Sequence, residues 1–150
     1  MRILVDTNLL VRITHFEHVQ HPYAIKAIID LKDAGHELCL VPQVIYEYWA
    51  VVTRPLSQNG MSESIEDAKQ NVEELLNYFT LHDDEPRIFD NWFKLVSEHD
   101  VKGKPTHDAR LVAAMQLHQL QYLLTFNASD FKRFPDIIVL DPQSLTLPIE

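Results

Sequence analysis

The sequence contains little glycine and cysteine, and it has no long apolar run. Its 150 residues include only 3 glycines, and none forms a Gly-x-Gly loop after the first apolar segment, which excludes a dinucleotide-binding domain of that type. The single cysteine, Cys39, cannot form an internal disulfide, and its apolar neighbours predict a buried thiol in a reducing cytoplasm. No apolar run approaches the roughly 20 residues of a membrane span, and the N-terminus shows no secretory signal, so we expect no membrane association.

Basic residues are also scarce. Lys and Arg number 13 against 22 Asp and Glu, which gives a formal net charge of -9. This balance excludes a protein that coats nucleic acid through a broad basic surface. It does not exclude an acidic metal site that acts on nucleic acid, because divalent ions reverse the local charge. The acidic surplus also suits a basic partner.

Short apolar runs alternate with amphipathic segments along the whole chain, with no repeat and no linker. This organisation predicts a single domain over residues 1–150. The pattern predicts strands over 2–5, 37–41, 79–82, 122–125 and 137–140, with helices that begin near residues 9, 22, 42, 64, 86 and 106. Strands that alternate with helices indicate a three-layer α/β/α sandwich with a mainly parallel sheet. Gly35 is a suitable helix stop, and Thr106 is a suitable helix cap.

Four carboxylates fall directly after a predicted strand or in the first turns of a predicted helix: Asp6, Glu47, Asp108 and Asp130. Taken singly, Glu47 is explained by a solvated helix face and Asp108 by the helix dipole. In a parallel sheet, however, these places lie on one edge, where chemistry tends to gather. Carboxylates crowded there would repel one another unless a cation held them, and hard oxygen ligands suit Mg²⁺ or Mn²⁺. Such a site can activate water for attack on a phosphodiester.

The same residues carry a resemblance to a known family. The chain resembles PIN domains, and most closely the VapC-type toxins of bacterial toxin–antitoxin pairs. The matching pieces span nearly the whole chain in the family's order: Ile3-Leu4-Val5-Asp6-Thr7-Asn8, Val41-Pro42-Gln43 leading to Glu47, His107-Asp108-Ala109, and Leu124-Thr125-Phe126-Asn127-Ala128-Ser129-Asp130-Phe131. The first piece alone is weakly specific, whereas the C-terminal piece and the ordered set are more so.

The resemblance implies a metal-dependent endoribonuclease, the toxin of a toxin–antitoxin pair. Asp6, Asp108 and Asp130 would bind Mg²⁺ or Mn²⁺, and Glu47 would act as a further ligand or as a base through water. Asn8, Thr125 and Asn127 match polar positions that orient the ligands or the phosphate. The RNA products would carry a 5′-phosphate and a 3′-hydroxyl. A homodimer that binds a small antitoxin protein is also implied.

Several other features have two interpretations. Five basic residues would either contact RNA phosphates or carry solvated surface charge: Lys104, Arg110, Lys102, Lys132 and Arg133. The repeat His15-x-x-His18-x-x-His21 is typical of exposed loop histidines, with a weak adventitious Zn²⁺ or Ni²⁺ site as the alternative. The aromatic side chains of Tyr48, Trp49 and Trp92 have helical spacing, which favours a core or interface position over base stacking.

Two rival functions stay open at this stage. In the first, the PIN fold is a catalytically silent module that binds RNA or a protein, although all four carboxylates are present. In the second, the protein is a phosphatase of the haloacid dehalogenase type, which also begins with an Asp at a strand end. That chemistry usually needs a second Asp two residues on, where this chain has Asn8.

Overall fold

A computed structural model describes residues 1–146 of the chain. These residues form a parallel sheet of five short strands: β1 (Arg2–Val5), β2 (Glu37–Leu40), β3 (Thr80–Leu81), β4 (Tyr122–Leu124) and β5 (Ile138–Leu140). Six α-helices connect the strands: α1 (Thr7–Thr14), α2 (His21–Asp33), α3 (Pro42–Thr53), α4 (Ile65–Tyr78), α5 (Arg87–Glu98) and α6 (Pro105–His118). Two 3₁₀ turns, Leu56–Gln58 and Ala128–Phe131, complete the description.

The strands are arranged in the order β3-β2-β1-β4-β5, and every pairing is parallel. Leu4 of the central strand β1 lies beside Cys39 on one side and beside Leu123 on the other. The middle strands are almost completely buried, because helices cover both faces of a parallel sheet. The three-layer α/β/α sandwich predicted from the sequence is confirmed.

The order of the strands reverses direction at β1. The chain runs outward from β1 through β2 to β3 and then returns to place β4 on the other side of β1. Because parallel crossovers are right-handed, this reversal puts α5 and α6 on the face opposite the earlier helices. The crevice between the carboxyl ends of β1 and β4 is a topological switch point, the usual place for a site in an open α/β sheet.

Local signals explain most element boundaries. Gly35 ends α2 as predicted: it adopts a φ of 87°, and the amide of His36 donates to the carbonyl of Leu31 across 3.1 Å. Ser64 caps α4, since its hydroxyl accepts from the amide of Asp67 at 3.0 Å.

The predicted cap at Thr106 is wrong. Helix α6 begins one residue earlier, at Pro105, whose fixed φ suits the first helical turn. The hydroxyl of Thr106 instead donates back to the carbonyl of Gly103 at 2.7 Å, so Thr106 lies inside the first turn.

The core is apolar apart from a few satisfied groups. Tyr48 is completely buried on α3, and its hydroxyl is 2.8 Å from that of Thr14 on α1. Trp49 and Trp92 are partly buried against the same core, and Cys39 is completely buried, as the sequence predicted. Within residues 1–146, no helix has both the length and the apolar character that crossing a membrane requires.

Candidate functional site

Asp6 lies at the carboxyl end of β1, where it is the N-cap residue of α1. Its side chain is 8% exposed, and three donors hold it. The amide of Thr7 donates to Oδ1 at 2.7 Å, while the hydroxyl of Thr125 and the amide group of Asn8 donate to Oδ2 at 2.7 and 3.3 Å. The carboxylate therefore has one fixed orientation at the switch point.

Thr125 and Asn8 join the ends of the two central strands. The Thr125 hydroxyl, which is completely buried, accepts from Nδ2 of Asn8 at 3.0 Å and from the backbone amide of Asn127 at 3.1 Å. Oδ1 of Asn8 accepts in turn from the amide of Phe126 at 3.2 Å. Of the three predicted supporting residues, Asn8 and Thr125 contact the Asp6 carboxylate directly. Asn127 acts indirectly, because its backbone amide donates to the Thr125 hydroxyl, which in turn donates to Asp6.

Glu47 occupies the second turn of α3 and is half-buried. Its Oε2 accepts from the hydroxyl of Thr7 and its Oε1 from Nε2 of Gln43, both at 2.8 Å. Gln43 also donates to the carbonyl of His107 at 2.9 Å and accepts from Arg110 at 3.0 Å, so it links α3 to α6. Gln43 was not among the predicted site residues, although its spacing of four residues from Glu47 puts the two side chains on one helix face.

All four predicted carboxylates line one cavity of about 370 Å³. Asp108 lies in the first turn of α6 and is half-buried, and Asp130 is exposed in the second 3₁₀ turn. Four separate stretches of sequence therefore deliver Asp6, Glu47, Asp108 and Asp130 to the same place. The edge of the sheet expected to collect these residues does collect them.

Two of the carboxyl groups in the cavity, Asp108 and Asp6, have raised pKa values. Burial is the main cause that raises the pKa of Asp108 to about 6, and the nearby charges of Asp130, Asp6 and Glu47 add to it. Burial also raises the pKa of Asp6, against the effect of its hydrogen bonds from Thr125 and Thr7, with Glu47 and Asp130 contributing further. A divalent cation among these oxygens would relieve this repulsion, and an all-oxygen donor set suits Mg²⁺ or Mn²⁺. The residues present thus fit such an ion.

Within residues 1–146, a second group of possible metal ligands lies away from this cavity. It consists of Glu37, Cys39 and His82, whose ligand atoms all lie within 4.8 Å of one another. The guanidinium of Arg2 already lies among them, 3.5 Å from the Glu37 carboxylate and 3.1 Å from Nε2 of His82. Burial raises the pKa of the Cys39 thiol to about 11. We therefore interpret this cluster as a packing contact of the sheet that the positive charge of Arg2 stabilises.

Basic side chains line the acidic cavity as well. They come from the C-terminal half of α1, the turn after it and the residue after α3: Arg12, His15, His18 and Arg54. The interpretation of His15 and His18 as exposed loop histidines is wrong, because the turn after α1 folds back and both rings are half-buried against the cavity, 5.4 Å apart. The third histidine, His21, begins α2, and its Nδ1 lies 2.7 Å from the carbonyl of Arg12.

Two of the basic residues considered as RNA contacts, Arg110 and Lys104, do not line this cavity. Arg110 lines a neighbouring one with Trp92, and its guanidinium contacts Gln43 and, at 3.3 Å, Asp84. Lys104 is exposed just before α6. Sequence proximity to Asp108 suggested these two residues, whereas Arg12 and Arg54 reach the cavity from other segments.

Comparison with known proteins agrees with this architecture. The structure of VapBC2 from Rickettsia felis, bound to a DNA fragment from the promoter, is similar with a TM-score of 0.70 at 16% identity, over 94% of this chain and 98% of that one. VapBC-1 from nontypeable Haemophilus influenzae gives 0.72 at 15% identity, over 96% and 100%. The sarcin-ricin loop cleaving toxin VapC20 of Mycobacterium tuberculosis gives 0.60 at 15%, over 81% and 86%.

At these identities the solved structures establish the fold alone. No curated protein matches the sequence. A family model does match: that of the PIN domain, over residues 3–137, which include all four carboxylates. The chain belongs to the PIN domain family.

Proposed function

We propose that this protein is a metal-dependent endoribonuclease and the toxin of a toxin–antitoxin pair. The observation that carries the proposal is the convergence of Asp6, Glu47, Asp108 and Asp130 on one cavity at the switch point of the sheet. Carboxyl groups such as Asp108 and Asp6, whose pKa values are raised by burial and by neighbouring negative charges in a cleft, are typical of functional sites. The solved VapBC structures and the sarcin-ricin loop cleaving toxin, which share the fold, support the choice of this activity.

Each carboxylate would have a distinct part. Asp6 is fixed by three hydrogen bonds and is the best-oriented ligand for Mg²⁺ or Mn²⁺, with Asp108 and Asp130 as the other ligands. A bound divalent ion would supply Lewis acidity toward water and toward the phosphodiester oxygens. Glu47 is anchored by Thr7 and Gln43, and from there it would serve as a ligand or accept a proton from the attacking water.

The test is cleavage of total RNA by the purified protein with Mg²⁺, with Mn²⁺ and with EDTA, followed by mapping of the ends. We expect cleavage only with a divalent ion, products with a 5′-phosphate and a 3′-hydroxyl, and no cleavage by an Asp6→Asn variant. Asp90→Asn is the matched control, since it removes an exposed carboxylate from α5 outside the cavity. Equal cleavage by the Asp6→Asn protein would refute the proposal.

The alternative is a PIN-fold module that binds RNA or a protein without cutting. Its expected result is RNA binding that persists in EDTA, with no cleavage under any metal condition. A phosphatase of the haloacid dehalogenase type would instead form a covalent phosphoryl intermediate on Asp6. In this structure both Asp6 oxygens accept hydrogen bonds, and Asn8, which replaces the second Asp of that chemistry, donates one of them.

The proposed partners are a small antitoxin and a second copy of this chain. Solved VapBC and FitAB assemblies with the same fold support the antitoxin. An antitoxin segment that presents Arg or Lys to the carboxylates would match both the net charge of -9 and the acidic cavity. Sedimentation of the isolated protein tests the homodimer, and co-purification with the product of an adjacent reading frame tests the antitoxin.

A further inference from the structure

The acidic cavity has a basic wall. Arg12 and Arg54 line it together with the four carboxylates, from the far end of α1 and from the residue after α3. Arg12 lies six residues beyond Asp6 along the helix, which corresponds to roughly 9 Å of rise. The carboxylates therefore occupy the strand-end side of the cavity, and the arginines occupy a side further along the helices.

Neither arginine is used to neutralise the carboxylates. Among residues 1–146, neither guanidinium comes within the 4.0 Å of a carboxylate oxygen that defines an ion pair, although seven other basic side chains do. Arg12 donates through Nε to Oε1 of Gln20 at 3.0 Å, and this contact orients the guanidinium while its two terminal nitrogens find no acceptor in the described part of the chain. A half-buried guanidinium that has no anionic partner and lies beside a cavity is available to bind an anion there.

Arg54 is oriented by the loop that follows α3. Its Nε and one terminal nitrogen donate to the carbonyl of Asn59 at 3.3 and 3.1 Å, and the loop closes tightly over the Arg54 backbone at Gly60. A Cβ on Gly60 would lie 2.1 Å from the Arg54 carbonyl oxygen, so only glycine permits this approach. The loop thus fixes the position of Arg54 at the cavity.

His18, which lines the same cavity, adds a neutral donor beside the two arginines' cavity wall. Its Nδ1 accepts from the backbone amide of Gln20 at 3.0 Å, so the neutral ring carries its hydrogen on Nε2. Burial, together with the charges of Arg12 and His15, lowers the pKa of His18 and favours this neutral form.

We infer that Arg12 and Arg54, assisted by His18, bind backbone phosphates of an RNA strand beside the bond presented to the carboxylates. This inference rests on the proposed function and extends it by identifying the substrate-binding residues. Guanidinium groups match phosphate oxygens in a two-pronged geometry, and the protein has no broad basic surface that would do the same work. The strand would enter along the turn between α1 and α2 and leave beside the loop after α3.

The experiment measures binding separately from cleavage. In an Asp6→Asn background, a labelled single-stranded RNA of a sequence that the wild type cuts is titrated by fluorescence anisotropy at several salt concentrations. Because each single-strand phosphate contact contributes about 0.7 to the slope of log K against log salt, we expect Arg12→Gln with Arg54→Gln to lower that slope by about 1.4. Each single change should weaken binding about fivefold at 0.1 M salt by the same relation.

The controls distinguish the loss of a local phosphate contact from the loss of overall positive charge and from misfolding. Arg87→Gln removes an exposed arginine on α5 outside the cavity, and it should change neither slope nor affinity by a comparable amount. Arg54→Lys loses the hydrogen bonds to Asn59 but keeps the charge, so it should retain most of the slope. Melting temperatures by circular dichroism confirm that each variant folds.

Three results would overturn the inference. If the wild type cleaves RNA and the double variant binds with the parent's slope, the arginines do not contact phosphate, while the nuclease stands. An equal loss in Arg87→Gln would show that only overall charge matters. If the wild type neither cuts nor binds any RNA, the proposed function fails, and this inference fails with it.

Discussion

Removal of the Asp108 charge should stabilise the metal-free protein while abolishing the proposed RNA cleavage. The pKa of this carboxyl rises from 3.8 to about 6 in the folded state. Folding therefore disfavours its ionised form, and the resulting destabilisation develops as pH rises from about 4 to 6 and is complete above that. Asn at this position is neutral at every pH and escapes the penalty.

The magnitude follows from the shift. Two pKa units correspond to about 3 kcal/mol at 1.36 kcal/mol per unit, which is an upper bound. Asp108 is only half-buried, and solvent screens the interaction, so about 1 kcal/mol is the expected effect. For a domain of this size, that raises the melting temperature by roughly 2–4 °C.

The assay is thermal unfolding in EDTA at pH 7.5 and at pH 4, monitored by circular dichroism. Asp108→Asn should melt above wild type at pH 7.5, and the difference should become small near pH 4, where the wild-type carboxyl is protonated in the folded state and about half protonated in the unfolded state. Asp90→Asn is the matched control, because Asp90 also lies in a first helical turn and the change removes a comparable interaction with the helix dipole. With Mg²⁺ the order should reverse if the ion binds as proposed, since wild type retains the proposed ligand Asp108.

A single outcome would refute the reasoning. If Asp108→Asn melts below wild type in EDTA at pH 7.5 by more than Asp90→Asn does, then the ionised carboxylate stabilises the fold. The crowding of charge in the cavity would then not be the property that a cation relieves.

Three further predictions concern two supports of the site and the buried thiol of β2. Thr125→Val removes the hydroxyl that donates to Asp6 at 2.7 Å inside the protein, so it should cost about 1–3 kcal/mol in urea unfolding and reduce RNA cleavage. Gly60→Ala should cost about 1–3 kcal/mol and weaken RNA binding, because its Cβ would collide with the Arg54 carbonyl and displace that side chain. Cys39 should not react with a thiol reagent such as DTNB at pH 8 until the protein unfolds, because the thiol is completely buried and its pKa is about 11.

Each of these predictions has a result that contradicts it. An unfolding free energy within 0.3 kcal/mol of wild type for Thr125→Val, on the order of measurement error, would show that the Asp6 carboxylate does not depend on that hydroxyl. Unchanged stability of Gly60→Ala would mean that the loop after α3 moves freely. Labelling of Cys39 at the rate of a free thiol would show that the centre of the sheet opens in the native state.

The sequence by itself determined the order of the elements. The apolar runs at β1, β2 and β4 are long enough for strands buried on both faces, and Gly35 marks the end of α2. The carboxylates could be chosen because strand ends and first helical turns fall at one edge of any parallel sheet. Asp6, Glu47, Asp108 and Asp130 were therefore identifiable before any contact between them was known.

Only the tertiary structure decided which cations face those carboxylates. Arg12 and Arg54 are 42 positions apart in the chain and come together because α1 packs on α3. Arg110, though two residues from Asp108, turns instead toward Gln43 and Asp84. Periodicity reports which face of a helix is buried, but the partner of a long polar side chain depends on how two elements cross and where a loop folds back. That geometry is a property of the packed core, and the one-dimensional pattern does not contain it.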